Sequence, residues 1–314
     1  MIKGKKLIVI VGPTAVGKTE FGILLATKLN TEIISADSRQ FYKELKIGTA
    51  APTDEELKKI KHHFVGHLSI ADNYNVSKFE TDALECLTKI FKINNYAVMV
   101  GGSGLYIDAV CNGIDELPDV DEELRNTLKE QLKKEGIESL RLLLKKLDPE
   151  YYSTVDKANP NRLLRALEVC IATGKSFSSL RSKIPKEREF GIIKIGLNRK
   201  REELYNIINR RVDLMIENGL VDEAKKYQEY KNFNALKAVG YREIFNYLED
   251  KYSLEFAIEK IKTNTRHYAK RQLTWFRKDK NIIWYDTEKK EETFFDICSQ
   301  NLFFNEFSKN PGKF

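Results

Sequence analysis

Short apolar runs alternate with helical patterns in the first hundred residues of the chain. Residues 7–11, 32–36 and 96–100 are mainly apolar, as is typical of strands that are buried on both faces. Residues 20–29 have a helical period, and the apolar side of that predicted helix holds Phe21, Leu24, Leu25 and Leu29. Strands of this kind alternating with helices predict an α/β fold with a parallel sheet covered on both faces.

The pattern changes near residue 118, where charged residues become dense and leucines recur at helical spacing. These leucines are Leu124, Leu128, Leu132, Leu163, Leu164 and Leu167. Residues 192–197 again predict a strand, and a long helix follows from about Glu202 to a stop signal at Asn218-Gly219. We therefore predict a core formed by residues 1–117 and 191–314, interrupted by an all-helical insertion domain of residues 118–190.

The composition indicates a folded protein of a reducing compartment. The hydrophobic fraction of 42% is sufficient for a normal buried core, and no apolar run approaches the ~20 residues of a membrane helix. Residues 7–11 are too short for a secretory signal. None of the four cysteines lies in a CxxC pair, which argues against zinc and against a disulfide framework. We expect a cytoplasmic protein without a membrane span, and a monomer because no heptad or symmetric apolar patch is visible.

Positive charge is concentrated near the end of the chain. The net charge is +7, and residues 260–280 hold eight Lys or Arg and one acid, Asp279. Tyr268, Trp275 and Phe276 are interleaved with these cations. Cations bind phosphate backbones and aromatic faces stack on unpaired bases, so the segment is a candidate RNA surface. The alternative is an amphipathic helix with a solvated charged face.

The stretch GPTAVGKT, residues 12–19, matches the P-loop pattern G-x-x-x-x-G-K-[ST] between a predicted strand and a predicted helix. Backbone N–H groups of such a loop bind phosphates, and Lys18 adds a point charge. The Thr19 hydroxyl is placed to ligate Mg²⁺ or phosphate. A chance match in an ordinary strand-helix turn fits this complete context less well.

The acid expected in a nucleotide-hydrolysing P-loop enzyme is missing, since residues 96–100 lead into GGSG. The carboxylate that follows a strand is instead Asp37, at the sheet edge where ligands of open α/β folds bind. Two roles stay open for Asp37, Mg²⁺ ligand or general base. The Gln40 amide could pair with a nucleobase edge or be an ordinary cap or surface residue.

Taken together, the motifs resemble those of the tRNA dimethylallyltransferases. In order along the chain they are GPTAVGKT, ADSRQFY, KIGTAAP, GGSGLY, NRLLRALEVCIATGK, NRRVDLMIENGL, KAVGYREI and TRHYAKRQLTWFRKD. The resemblance implies a nucleoside-kinase-like P-loop core with a parallel sheet, carrying an all-helical insertion and a C-terminal helical segment that binds tRNA.

The resemblance also implies a reaction, in which a dimethylallyl group passes from dimethylallyl diphosphate to N6 of the adenosine on the 3′ side of the anticodon in tRNA. Asp37 would accept the N6 proton. Mg²⁺, Lys18, Thr19 and Arg211 would neutralise the leaving diphosphate, and Ser103 would lie near the reaction channel. The implied diphosphate contacts are Gly12, Thr14, Ala15, Val16, Gly17, Lys18 and Thr19, with Thr19 as the metal ligand.

Arg211 has independent support from spacing, because it lies four residues from both Ile207 and Met215 and therefore projects beside an apolar helix face. A buried Arg that extends its head to water is the alternative. Ser38 and Gln40 would hold the extruded adenine. The implied tRNA contacts are Asp37, Ser38, Arg39, Gln40, Ser103, Arg125, Asn161, Arg162, Arg165, Arg266, Lys270 and Arg271.

The chain departs from the family pattern at three places. Ser103 replaces the usual threonine, Asn161 replaces a glutamine, and Gly66 replaces an acid after His62 and His63. With His67, three histidines fall within six residues, but no thiol or carboxylate completes a metal set, so we interpret them as structural.

Three other functions remain as alternatives. An adenylate isopentenyltransferase would use the same loop and Asp37 but would not need the basic segment. A P-loop kinase would transfer the γ-phosphate of ATP, and a non-catalytic RNA-binding protein would retain only a relic loop.

Overall fold

The computed structural model describes residues 4–115, 117–118, 121–182 and 184–288. These residues form two compact units. One holds the described residues up to Asn112 and from Arg188 onward, and the other spans Gly113–Glu187. The units divide a few residues from the predicted boundaries at 117/118 and 190/191. The part of the predicted core beyond residue 288 lies outside the described residues.

The first unit is built on a six-stranded sheet in which every pair of neighbouring strands is parallel. The strands are β1 (Lys6–Val11), β2 (Ile33–Ala36), β3 (His62–His63), β4 (Tyr96–Gly101), β5 (Gly191–Asn198) and β6 (Ile282–Asp286). Their order is β3-β2-β4-β1-β5-β6. The predicted α/β fold is confirmed, and the four predicted strands lie within one residue of their observed ends. The short edge strands β3 and β6 were not predicted.

Helices connect the strands and form the second unit. In the first unit they are α1 (Lys18–Lys28), α2 (Asp54–Lys59), α3 (Val76–Ile93), α4 (Gly104–Asn112), α9 (Arg201–Glu217), α10 (Leu220–Lys226), α11 (Tyr241–Leu248) and α12 (Leu254–Phe276). In the second they are α5 (Glu122–Glu135), α6 (Ile137–Leu147), α7 (Pro149–Thr154) and α8 (Pro160–Thr173). Across the described ranges, none of these helices has the length and apolar character needed to cross a membrane.

Both faces of the sheet are buried. Along β1, Leu7 and Val9 pack into one apolar cluster, whereas Ile8 and Ile10 pack into another. This explains the continuous apolar runs of the strands, because each side chain of a strand covered on both faces is removed from water. The second unit has its own cluster, which includes Leu128, Leu140, Leu144, Leu163 and Leu167.

The predicted apolar side of α1 was partly wrong. Leu24 is 52% exposed, whereas Phe21, Ile23 and Leu25 are buried. The buried face includes Gly22, where an added Cβ would lie 2.5 Å from a methyl group of Val100. Because this face approaches the sheet through glycine, the position of the leucines alone did not reveal it. The helix begins at Lys18, two residues before the predicted start.

The order of the strands brings three motifs to one edge of the sheet. β4 lies between β1 and β2. The P-loop follows β1, the GGSG turn follows β4 and Asp37 follows β2, all at the carboxyl ends of the strands. Parallel α/β sheets bind their ligands in the crevice at this edge.

Candidate active site

The P-loop has a backbone that only certain residues can adopt. Gly12 and Gly17 have φ values of 149° and 102°, and Ala15 has a φ of 69°. A Cβ on Gly12 would lie 2.5 Å from the carbonyl oxygen of Leu197 on β5, so glycine is required there. The loop leads into the N-terminus of α1, where free backbone N–H groups favour an anion.

Lys18 is the cation of this loop. Its Nζ donates a hydrogen bond of 2.7 Å to the carbonyl oxygen of Pro13. Burial lowers the pKa of Lys18 to about 7, an effect that the charge of Asp37 opposes and that of Arg211 reinforces. A bound diphosphate would favour the charged ammonium form.

Asp37 lies in the turn after β2. Its Oδ1 accepts a hydrogen bond of 3.0 Å from the backbone N–H of Arg39, and its carbonyl oxygen accepts one of 3.1 Å from that of Gln40. Burial raises the pKa of Asp37, although the Arg39 N–H and the Lys18 charge oppose the rise. A raised pKa makes this carboxylate a better proton acceptor.

Ser103 supports the turn that carries Asp37. The backbone N–H of Ser103 donates to the carbonyl oxygen of Ala36 at 3.2 Å, and its Oγ accepts a 3.0 Å hydrogen bond from the backbone N–H of Ser38. Tyr268 lies beside this serine, and burial raises the pKa of its hydroxyl. Ser103 therefore connects β4 directly to the residue that follows Asp37.

Gln40 already uses much of its amide within the protein. Its Nε2 donates to the carbonyl oxygens of Thr49 and Ala50 at 3.3 and 3.0 Å. Its Oε1 accepts a 3.3 Å hydrogen bond from the hydroxyl of Ser35. Both amide hydrogens are thus engaged, and the oxygen retains one lone pair for a ligand.

A cavity of about 380 Å³ lies over these residues. Thr14, Ala15, Gly17, Lys18, Thr19, Asp37, Gln40 and Arg211 are among its lining residues. Gly12 and Val16 are buried beneath the loop and do not line the cavity. Most of the implied diphosphate contacts and the proposed base therefore face one space.

Arg211 reaches this cavity from α9. Its guanidinium has no hydrogen-bond partner among residues 4–115 and the other described ranges, and burial lowers its pKa while the charge of Glu56 opposes that effect. An unpaired guanidinium in a cavity wall is a ready binding group for an anion. Sequence reasoning identified Arg211 but missed Glu56, which also lines the cavity.

The loop that holds Gln40 is itself anchored by a glutamate. Glu223 on α10 accepts hydrogen bonds of 2.9 Å from the backbone N–H groups of Lys46, Ile47 and Gly48. It accepts a fourth, of 2.6 Å, from the hydroxyl of Tyr241. These contacts show what Tyr241 does in the KAVGYREI motif, which the sequence alone did not explain.

The implied RNA contacts of the second unit differ in whether their side chains are paired within the protein or exposed. Arg125 forms a two-point pair with the buried carboxylate of Glu168 at 2.8 and 2.9 Å, and Arg165 lies 3.7 Å from the same group. Asn161 and Arg162 are exposed at the start of α8. Arg125 and Arg165 thus have structural contacts in addition to any role with RNA.

The cations of α12 show the same contrast. Arg266 donates to Oδ1 of Asn209 at 2.6 Å and to Oγ1 of Thr263 at 2.9 Å. Lys270 and Arg271 are exposed. Gln272 on the same helix is buried and bonded to the P-loop, a contact that sequence reasoning missed although the residue lies in a recognised motif.

The three histidines have different surroundings. His63 hydrogen-bonds to Glu32 at 2.6 Å, and the His67 ring packs edge-on against Phe41. His62 Nδ1 bonds to the carbonyl oxygen of Ile60 at 2.9 Å, and its buried Nε2 has no partner within the described part of the chain.

These observations define a P-loop α/β protein in which an anion-binding loop faces the half-buried carboxylate of Asp37. The family model described as IPP transferase matches residues 40–279. The chain is 53% identical to the tRNA dimethylallyltransferase of Christiangramia forsetii, over 94% of this chain and 98% of that protein. It is 49% identical to tRNA dimethylallyltransferase 1 of Bacteroides thetaiotaomicron, over 94% and 96%.

Solved structures give the same result. The full-length tRNA isopentenylpyrophosphate transferase of Bacillus halodurans superposes with a TM-score of 0.71 at 37% identity, covering 97% of this chain and 98% of that one. A eukaryotic dimethylallyltransferase acting on tRNA superposes with a TM-score of 0.78 at 28% identity, covering 96% and 80%. The chain belongs to the IPP transferase family, and the resemblance of its motifs is confirmed.

Proposed function

We propose that the protein is a tRNA dimethylallyltransferase that transfers the dimethylallyl group of dimethylallyl diphosphate to N6 of the adenosine 3′ to the anticodon. The observation that carries this proposal is the cavity that the P-loop, Asp37 and Arg211 share. An anion site and a proton acceptor in one space suit a reaction that expels diphosphate and removes a proton.

In the proposed step, the bond changes, the released proton and the leaving charge each have a place at this site. The bond between C1 of the dimethylallyl group and the diphosphate oxygen breaks, and a bond between C1 and adenine N6 forms. The N6 proton passes to Asp37, whose raised pKa favours its acceptance. Lys18 and Arg211 stabilise the negative charge that remains on the departing diphosphate.

Magnesium fits this site as an ion shared with the substrate. Residues 4–288, apart from 116, 119, 120 and 183, contain no group of three His, Cys, Asp or Glu suited to a metal. Mg²⁺ often takes few protein ligands and completes its shell with substrate phosphates and water. The Thr19 hydroxyl and diphosphate oxygens would hold it, and it would supply charge neutralisation to the leaving group.

The tRNA anticodon stem-loop would be held mainly by exposed groups. Lys270 and Arg271 on α12, and Asn161 and Arg162 on α8, are exposed and suited to backbone phosphates. Arg125, Arg165 and Arg266 would contribute with whatever donors their internal contacts leave. Arg39, Ser38 and the free lone pair of Gln40 would contact the extruded adenosine. We infer that the enzyme acts as a cytoplasmic monomer, which size-exclusion chromatography with light scattering would test.

The reaction can be tested directly. The protein is incubated with Mg²⁺, dimethylallyl diphosphate and an unmodified tRNA that carries A beside the anticodon, and the digested nucleosides are weighed by mass spectrometry. We expect one C5H8 on that adenosine. An adduct on free AMP but not on tRNA would indicate an adenylate isopentenyltransferase, and transfer of γ-phosphate label from ATP would indicate a kinase.

The same assay tests the base. Asp37→Asn preserves the shape of the side chain but removes the proton acceptor, so we expect the rate to fall roughly a hundredfold or more. Asp250→Asn is the matched control, because Asp250 is exposed and outside the cavity. A normal rate in Asp37→Asn would refute the role of Asp37 without refuting the transfer reaction.

A further inference from the structure

A buried amide connects the P-loop to the turn after β4. Gln272 is only 5% exposed and lies on the buried side of α12. Its Oε1 accepts a hydrogen bond of 2.8 Å from the backbone N–H of Thr14. Its Nε2 donates one of 2.9 Å to the carbonyl oxygen of Gly102.

These two partners fix the orientation of the amide. An N–H group of the P-loop requires an acceptor and a carbonyl of the Gly101–Ser103 turn requires a donor, and glutamine provides both in one rigid plane. The turn also leaves space for it, since a Cβ on Gly102 would lie 2.2 Å from Gln272 Nε2. Glycine at 102 and glutamine at 272 are therefore a matched pair.

The hydrogen bond between Gln272 and Thr14 determines which N–H groups of the P-loop remain for a ligand. The N–H of Thr14 is directed to Gln272, so it is not among the N–H groups of the loop that can bind diphosphate together with Lys18, Thr19 and Arg211. The same amide holds the segment that leads to Ser103, which supports the Asp37 turn. One side chain thus bonds both to the loop of the anion site and to the turn whose Ser103 contacts the residue after Asp37.

We propose that Gln272 is a positioning residue for prenyl transfer, which holds the P-loop and the Gly101–Ser103 turn in the arrangement that binds diphosphate. This role rests on the proposed function for its kinetic part, but its effect on diphosphate binding can be measured without any transfer reaction. Gln272 itself does not line the cavity. It acts through the groups that do.

Two substitutions separate positioning from simple stability. Gln272→Met has a similar length but no polar group, so Thr14 N–H and Gly102 C=O both lose their partner. Gln272→Glu keeps one acceptor when ionised and becomes a neutral copy of the amide when protonated, because a carboxylic acid both accepts and donates. Thr88→Val is the control, since the exposed Thr88 hydroxyl on α3 bonds to a carbonyl of its own helix and lies outside the proposed diphosphate and tRNA contacts.

The first measurement is the affinity for inorganic diphosphate with Mg²⁺ by calorimetry, and the second is steady-state transfer to tRNA. We expect Gln272→Met to raise the diphosphate Kd and the KM for dimethylallyl diphosphate roughly tenfold, with a smaller change in the KM for tRNA. For Gln272→Glu, the defect relative to wild type at the same pH should shrink as the pH falls from 8 to 6, whereas that of Gln272→Met should not. The titration of Lys18 and Asp37, the ionisable groups of the connected segments, is present in wild type and in Gln272→Met as well. A response to pH seen in Gln272→Glu alone therefore belongs to the new carboxyl group and to its charge near Lys18.

Two results would overturn the proposal. One is a Gln272→Met protein whose diphosphate Kd and KM stay within twofold of wild type, even if its melting temperature falls. The other is a Gln272→Glu defect that does not respond to pH. If wild type binds diphosphate but transfers nothing to tRNA, the proposed function fails while the positioning of the anion site remains measurable.

Discussion

The carboxylate of Glu223 offers a sharp test of how the site is held. It accepts four hydrogen bonds, from the backbone N–H groups of Lys46, Ile47 and Gly48 and from the hydroxyl of Tyr241. The loop it anchors continues to the two carbonyl groups that bind the Gln40 amide. Loss of this anchor should therefore loosen a wall of the cavity.

The magnitude follows from the hydrogen bonds that each change removes. Tyr241→Phe removes one hydrogen bond to a charged group, which costs about 1.5 kcal/mol. Glu223→Gln replaces one oxygen by NH₂, so the N–H of Gly48 loses its acceptor when the remaining oxygen stays on Lys46 and Ile47. The other bonds become neutral, and we expect a total cost of about 3 kcal/mol.

The Tyr241 hydroxyl can partly compensate for Glu223→Gln, because it can turn and accept a hydrogen bond from the new NH₂ group. Both changes remove the hydrogen bond between Tyr241 and Glu223, so the double variant loses that bond only once. It should therefore be less destabilised than the sum of the two single variants, by the cost of the bond minus the compensation, about 1 kcal/mol in a double-mutant cycle. Independent costs, additive to within about 0.3 kcal/mol, would show that the four contacts do not act as one network.

Hydrogen exchange followed by mass spectrometry measures the local effect on residues 46–50. A cost of about 3 kcal/mol corresponds to roughly a hundredfold faster exchange in Glu223→Gln. Glu229→Gln is the matched control, since Glu229 is exposed on the segment after α10. Unchanged exchange in Glu223→Gln would refute the claim that this carboxylate holds the loop.

Three further changes probe other parts of the first unit. Arg188 pairs with the buried Glu80 at 2.6 Å, and Arg188→Met would take that cation away from the carboxylate. The free energy of unfolding should therefore fall by about 3–5 kcal/mol in urea titrations. A loss below about 1 kcal/mol would contradict this expectation. The pKa of Lys18 is about 7 in the free protein and should rise beside diphosphate, so binding above pH 7 should take up a proton and weaken as the pH rises. Calorimetry in two buffers of different ionisation enthalpy detects that proton, and equal uptake by Lys18→Met would exclude this lysine as its source. Arg211→Met should lower kcat/KM roughly a hundredfold, because it removes a charge that stabilises the leaving diphosphate. Arg210→Met, at the exposed neighbouring position, should not lower it. Equal losses in the two variants would indicate damage to α9 rather than loss of the charge.

The sequence predicted the sheet, and it predicted which residues share the cavity at one edge of that sheet, because both depend on local patterns. A strand that is buried on both faces must be apolar throughout, and a phosphate loop must have glycine where φ is positive, as at Gly12 and Gly17. Asp37 was found because it follows a strand directly. These requirements apply to neighbouring residues, so one chain is enough to reveal them.

The prediction failed where the decisive contact is with a distant segment. Leu24 has the same hydrophobicity as Leu25, but the helix face that packs on the sheet holds Gly22 and Leu25, and Leu24 is 52% exposed. Likewise, the pairing of Arg125 with the buried Glu168, on another helix, could not be predicted from the residue types, while a contact of Arg125 with RNA stays a prediction. A pattern of residue types does not contain such pairings.

The same reasoning explains why the chemical groups of the site were more predictable than their supports. A reactive group has to be a lysine, an aspartate or an arginine in a recognisable motif, because the chemistry allows few substitutes. A supporting residue has only to complete a hydrogen bond, and it can come from any part of the chain. Gln272 lies 258 residues from Thr14 in the sequence, and Glu223 lies 175 residues from Gly48. The geometry of the proposed site therefore depends on long-range contacts, and variants of Gln272 and Glu223 should alter transfer although neither residue is among the proposed substrate contacts.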